Sequence, residues 1–76
     1  MDDFKDSLTR VNVSMLMQDH QDLIRKREQV MADLRAAREE GDLVNNEAYH
    51  QAKQKQEIID RRIKAIEEQL SRLVNA

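Results

Sequence analysis

The 76 residues allow one small domain, and a composition that is 39% hydrophobic and 37% charged, with one Phe, one Tyr, one Gly and no Trp or Pro, excludes a sheet-and-turn fold in favour of long helices. The absence of Cys excludes disulfides and thiolate metal sites, and a net charge of −2 excludes nucleic-acid binding driven by wholesale phosphate neutralisation. No apolar run reaches membrane-spanning length and no signal-peptide pattern opens the chain, so a soluble, cytoplasmic protein with no membrane partner is expected.

The first eight residues, MDDFKDSL, are acidic and suit either a helical extension or a disordered lead. The next six, TRVNVS, are the weakest helix formers in the chain, because β-branched side chains lose rotamer freedom and Asn and Ser compete for backbone hydrogen bonds. A first helix is therefore expected over about residues 10–40. Its seam is Leu16, Leu23, Val30 and Ala37, with His20, Arg27 and Leu34 at the intervening positions, and Ile24 and Met31 widening it. The chain's single glycine, Gly41, follows. Glycine reaches positive φ without a Cβ clash, so residues 41–46 are the expected turn, with Asp42 at its apex. A second helix, about 47–74, carries a second seam through Ala52, Gln56, Ile59, Ile63, Ile66, Leu70 and Leu73.

Two amphipathic helices joined by so short a turn must run antiparallel. The expected fold is all-α: a long two-helix coiled-coil hairpin with a short acidic tip. Its seam is small or polar near the tip and aliphatic at the open end, which predicts a slender tip stabilised mainly from the other end. So small a hairpin is marginal alone and is expected to self-associate or to work against a larger partner.

At the tip, Asp42 lies close in sequence to Asn45, Asn46 and Glu47. Such residues ordinarily form turns and cap helix starts. A carboxylate at the end of a rod also suits lending a hard oxygen ligand to a metal held elsewhere, since one carboxylate builds no site alone. His20 and His50 lie 30 residues apart with no H-x-x-x-H spacing, which argues against a histidine metal site. Tyr49 and His50, one turn past the tip, are placed to pack beneath the loop. Arg35, Arg38, Lys53 and Lys55 put positive charge beside it, most simply as a solvated face. No nucleophile triad, P-loop or dinucleotide fingerprint is present.

The stretch AREEGDLVNNEAYHQAKQKQEIIDRRIKAIEEQL resembles the N-terminal coiled-coil domain of the bacterial Gre transcript-cleavage factors, GreA and GreB. Ala37, Arg38, Glu39, Gly41, Asp42, Leu43, Asn46, Tyr49, Ala52, Lys53 and Gln56 fall in register with the family pattern, as do Arg62, Ile63, Ile66 and Glu67. The resemblance implies a hairpin that enters the secondary channel of bacterial RNA polymerase and reaches the nascent RNA 3′ end of a backtracked complex. It implies no cofactor of the hairpin's own and no enzyme in its own right. Tip acids would help hold Mg²⁺ at the polymerase active site, stimulating the polymerase's own cleavage of the RNA. Asp42 matches the first tip acid, and Arg38 and Lys53 match basic positions that can face the RNA.

Two departures bear on that expectation. The family's second tip acid is Asn45 here, an amide that brings no negative charge, and Glu47, two positions on, is a poor stand-in. The sequence also stops at Ala76, so the C-terminal domain that anchors Gre factors is expected to be absent from it, as in an excised domain or a natural short protein. Three readings follow: a cleavage-supporting elongation factor module acting through Asp42, a non-cleaving channel binder, or a structural hairpin assembling through Leu16, Met17, Leu23, Ile24 and Met31.

Overall fold

The computed structural model describes residues 3–75. Two helices, α1 (Asp3–Glu39) and α2 (Glu47–Asn75), pack antiparallel as a hairpin whose backbone spans 61 × 15 × 14 Å. No strand occurs among the described residues, and none of their helices is long and apolar enough to cross a membrane.

α1 is already helical at Asp3, the first described residue, well before the start near residue 10 expected from the weak TRVNVS stretch. Each β-branched or polar residue there costs only a few tenths of a kcal/mol in helix propensity, roughly, and a helix already nucleated downstream propagates through them. Asp3 and Asp6 in the first turn also complement the positive end of the helix dipole.

The α1 seam faces α2 as its spacing requires. Leu23, Val30, Leu34 and Ala37 are buried, while Leu16, His20 and Arg27 are half-buried beside them. From α2, Ala52 and Ile63 are buried, and Gln56, Ile59, Ile66, Leu70 and Leu73 are half-buried. Two cross-helix pairs set the register. Arg27 Nε donates to Asp60 Oδ1 at 2.7 Å, and His20 Nε2 lies 3.2 Å from Glu67 Oε2. Each pair joins residues whose numbers add to 87, so Asn75 lies level with Asn12. Asp3–Val11 therefore project beyond the described end of α2.

Burial is tightest near the tip, contrary to the expectation that the open end supplies most of the stability. Leu34 is 1% exposed, Ala37 4% and Ala52 5%, whereas Ile66, Leu70 and Leu73 remain half-buried. Alanines let the two backbones approach until they enclose Leu34. Larger side chains at the open end protrude past the single partner helix that is there to cover them.

Candidate functional site at the hairpin tip

The turn is built from two successive left-handed residues. α1 ends in shortened bonds, Glu40 N to Ala37 O at 3.2 Å and Gly41 N to Arg38 O at 3.1 Å. Gly41 then takes φ +80° and Asp42 φ +41°. The first is natural for glycine, and the second is tolerated better by Asp than by most residues. A β-turn follows, closed by Asn45 N to Asp42 O at 3.2 Å.

One side chain then ties both helices to the loop. Asn46 Oδ1 accepts the Tyr49 N–H at 3.1 Å, capping α2. Its Nδ2 donates to the Ala37 carbonyl of the last α1 turn at 2.6 Å, with the Gly41 carbonyl 3.4 Å away. Capping thus falls to Asn46, which leaves the Asp42 carboxylate out of the helix-start role that local composition suggests for it.

Asp42 is exposed at the apex. Its Oδ2 accepts a hydrogen bond from Asn45 Nδ2 at 3.1 Å, and Oδ1 accepts none from the described residues. Asn45, at the position of the missing second acid, therefore points a donor at the first. Glu47 does not join this pair, because its Oε1 accepts from Gln51 Nε2 at 3.4 Å, one turn along α2. Leu43 and Val44 complete the apex as exposed apolar side chains, Val44 at 83%.

Beneath the apex sits an aromatic support. His50 Nε2 is 3.0 Å from the Val44 carbonyl; a carbonyl only accepts, so the proton lies on Nε2. The Tyr49 and His50 rings meet edge to face at 5.6 Å, and the Arg38 guanidinium lies 5.8 Å from the Tyr49 ring centre. His50 reaches back to the loop through the Val44 carbonyl, while Tyr49 meets His50 and Arg38. Of the two basic positions, Arg38 is thus engaged with Tyr49. Lys53 is half-buried and reaches Gln56 Oε1 at 3.5 Å, directed along the rod rather than at the apex.

Chemically the tip offers one carboxylate with one oxygen held and one available. Among the described residues no three His, Cys, Asp or Glu side chains group so as to hold a metal ion. The donor set thus suits a single ligand lent to a metal held by another molecule, rather than a metal site of the hairpin's own. The sequence reading missed the double cap by Asn46 and the Arg27–Asp60 pair. The second had a signal, an arginine at a seam position facing an antiparallel helix that carries an acid at the matching level.

A slender hairpin with a lone, supported carboxylate at its closed end is the class of object these features define. The family model described as "Transcription elongation factor, N-terminal" (GreA and GreB) matches residues 7–74, and the chain belongs to that family. A curated relative, transcription elongation factor GreA of Vesicomyosocius okutanii subsp. Calyptogena okutanii (strain HA), is 47% identical over 47 residues. That match covers 62% of this chain and 30% of the relative, so the chain spans under a third of the relative's length. No solved structure matches.

Proposed function

We propose that this hairpin is the inserting arm of a transcription elongation factor, entering the RNA polymerase secondary channel and stimulating cleavage of backtracked RNA. The observation that carries the reading is the Asp42 carboxylate, exposed at the end of a 61 Å rod about 15 Å across, with one oxygen steadied by Asn45. A narrow rod can pass where a globular domain cannot, and its closed end is its most tightly packed part.

The chemistry would belong to the polymerase, whose Mg²⁺ would supply Lewis-acid activation of a water, with Asp42 as the hairpin's one residue able to lend it an oxygen. Asp42 contributes a negative oxygen placed by the left-handed backbone at Gly41 and Asp42. Asn45 holds the other oxygen through its amide, limiting rotation of the carboxylate about its last bond. Tyr49, His50 and Arg38 support the loop from below and keep the apex from folding back. Lys53, turned toward Gln56, must leave that contact to meet RNA.

A second reading has its own observation. Asn45 brings a neutral amide where the family pattern has an acid, so the same tip in the same channel would bind without promoting cleavage. The test is Mg²⁺-dependent shortening of RNA in a backtracked bacterial polymerase complex. The cleavage reading expects this protein to raise the rate above the intrinsic one and Asp42→Asn to remove the increase while binding persists. Asn suits the left-handed conformation and keeps the shape, so this change removes the charge and one acceptor oxygen while sparing the backbone. Undiminished stimulation by Asp42→Asn would refute the role of Asp42, and a rate below the intrinsic one would favour the non-cleaving binder.

A further inference from the structure

The apex is apolar where turns are ordinarily polar. The bond from Asn45 N to the Asp42 carbonyl makes Leu43 and Val44 the two central residues of the β-turn. Gly, Pro, Asn, Asp and Ser dominate such positions, because each eases a backbone angle or bonds a backbone group; a β-branched side chain does neither. At 83%, Val44 is the most exposed large apolar side chain among the described residues, and Leu43 beside it is 41% exposed. Val44 therefore stabilises neither the loop nor the helix pair. A residue that breaks the local rule without packing on its own chain is expected where a contact is made with something else.

The position is held firmly for such a contact. His50 Nε2 donates to the Val44 carbonyl at 3.0 Å, and the turn bond closes the loop at 3.2 Å. Branching at Cβ stiffens the valine, so little rotamer freedom remains to be lost when it is covered. The apolar residues named from sequence for assembly are not placed this way. Leu16 and Leu23 face α2, Ile24 and Met31 are half-buried beside it, and of the five only Met17 is substantially exposed, at 54%.

We infer that Val44 packs against the face of an unstacked base in the displaced RNA strand that Asp42 approaches. The inference rests on the transcription reading and names a contact within it. The ends of a β-turn lie within about 7 Å of each other, so Asp42 and Val44 meet neighbouring parts of one partner. A single RNA strand offers two surfaces over such a distance, a charged backbone and the faces of its bases. Covering a phosphate with a valine would strip its water and return no hydrogen bond. Base faces are the apolar surface that remains, and in an unpaired strand they can splay out to meet a side chain. Aliphatic side chains pack on base faces in this way where stacking is broken. Every base has such a face, so the contact is the same for all four.

The test is binding of the 76-residue protein, labelled at its N-terminus, to assembled backtracked polymerase complexes, read by fluorescence anisotropy. Two complexes differ only in the displaced RNA nucleotides, intact in one and abasic in the other. Affinity is read rather than cleavage, so the result does not depend on whether Asn45 permits cleavage. The wild-type protein should bind the intact complex about threefold more tightly than the abasic one, below the roughly tenfold scale of an aromatic stack. Val44→Ser should erase that difference and Val44→Phe should widen it. Val44→Ser should leave helicity and melting unchanged, because the side chain is exposed. Equal wild-type affinity for the two complexes overturns the inference and leaves the transcription reading in place. A loss in Val44→Ser that is as large on the abasic complex assigns the contact to the polymerase protein and also overturns it. Absence of binding to either complex refutes the transcription reading, and the inference falls with it.

Discussion

Asn46 concentrates more local work than any other residue at the tip. Replacing it with Ala removes the α2 cap and the donor to the Ala37 carbonyl together, at an expected cost of about 2 kcal/mol in thermal unfolding. Asn46→Asp restores the cap but sets a carboxylate against the Ala37 carbonyl, so it should recover only part of the loss; full recovery would show that the donor contributes nothing. Gly41 tests backbone alone. A Cβ there would meet no atom within 4 Å, yet φ is +80°. Gly41→Ala should therefore cost about 1 kcal/mol through left-handed strain without any clash, and Gly41→Asn less. For chemistry the informative change is Asn45→Glu. If the missing second acid limits cleavage, this variant should raise the rate in the backtracked complex by about tenfold or more, the scale of a single added charged ligand interaction of about 1.4 kcal/mol. No gain would show that the Asn45 amide already suffices.

At the scale of the helices, the packing centre is Leu34, whose 1% exposure is the lowest in the core. Leu34→Ala should cost about 3 kcal/mol, comparable with the whole stability expected of so small a two-helix unit. Circular dichroism should then show lost cooperative melting, while Leu43→Ala at the exposed apex leaves the transition in place. The Arg27–Asp60 pair plays a different part. With its side chains 41 and 44% exposed, a double-mutant cycle should give a coupling of only about 0.5–1 kcal/mol. Together with His20–Glu67 it selects one register out of the seven-residue slips that a repetitive seam permits. Charge reversal at Arg27 alone should broaden the melting transition, and reversal at both sites should sharpen it again.

Over the whole molecule, the two ends have separate physical characters. The closed end is narrow, tightly packed and carries a carboxylate; toward the other end Leu16, Leu70 and Leu73 are only half-buried. Raising ionic strength should separate the two forces that join the helices, since attraction between the exposed Arg27–Asp60 and His20–Glu67 pairs is screened while apolar burial is strengthened by excluded salts. The melting temperature is therefore expected to hold or rise in ammonium sulfate, and a fall there would assign the hairpin's stability to charge pairing rather than to the apolar seam.

The helical class, the antiparallel hairpin and the seam residues were legible from the chain because they depend on local periodicity. Leu16, Leu23, Val30 and Ala37 repeat every seven residues, and one glycine marks the reversal. The tip motif was legible for the same reason, as a contiguous run of residues. What the run could not reveal was which amide caps which helix, that Asn45 turns its donor toward Asp42, or that Arg38 lies beside Tyr49. Those facts depend on side-chain directions in a loop with two left-handed residues, and local composition does not set them. Cross-helix register was equally invisible, because register belongs to the folded pair rather than to either helix alone.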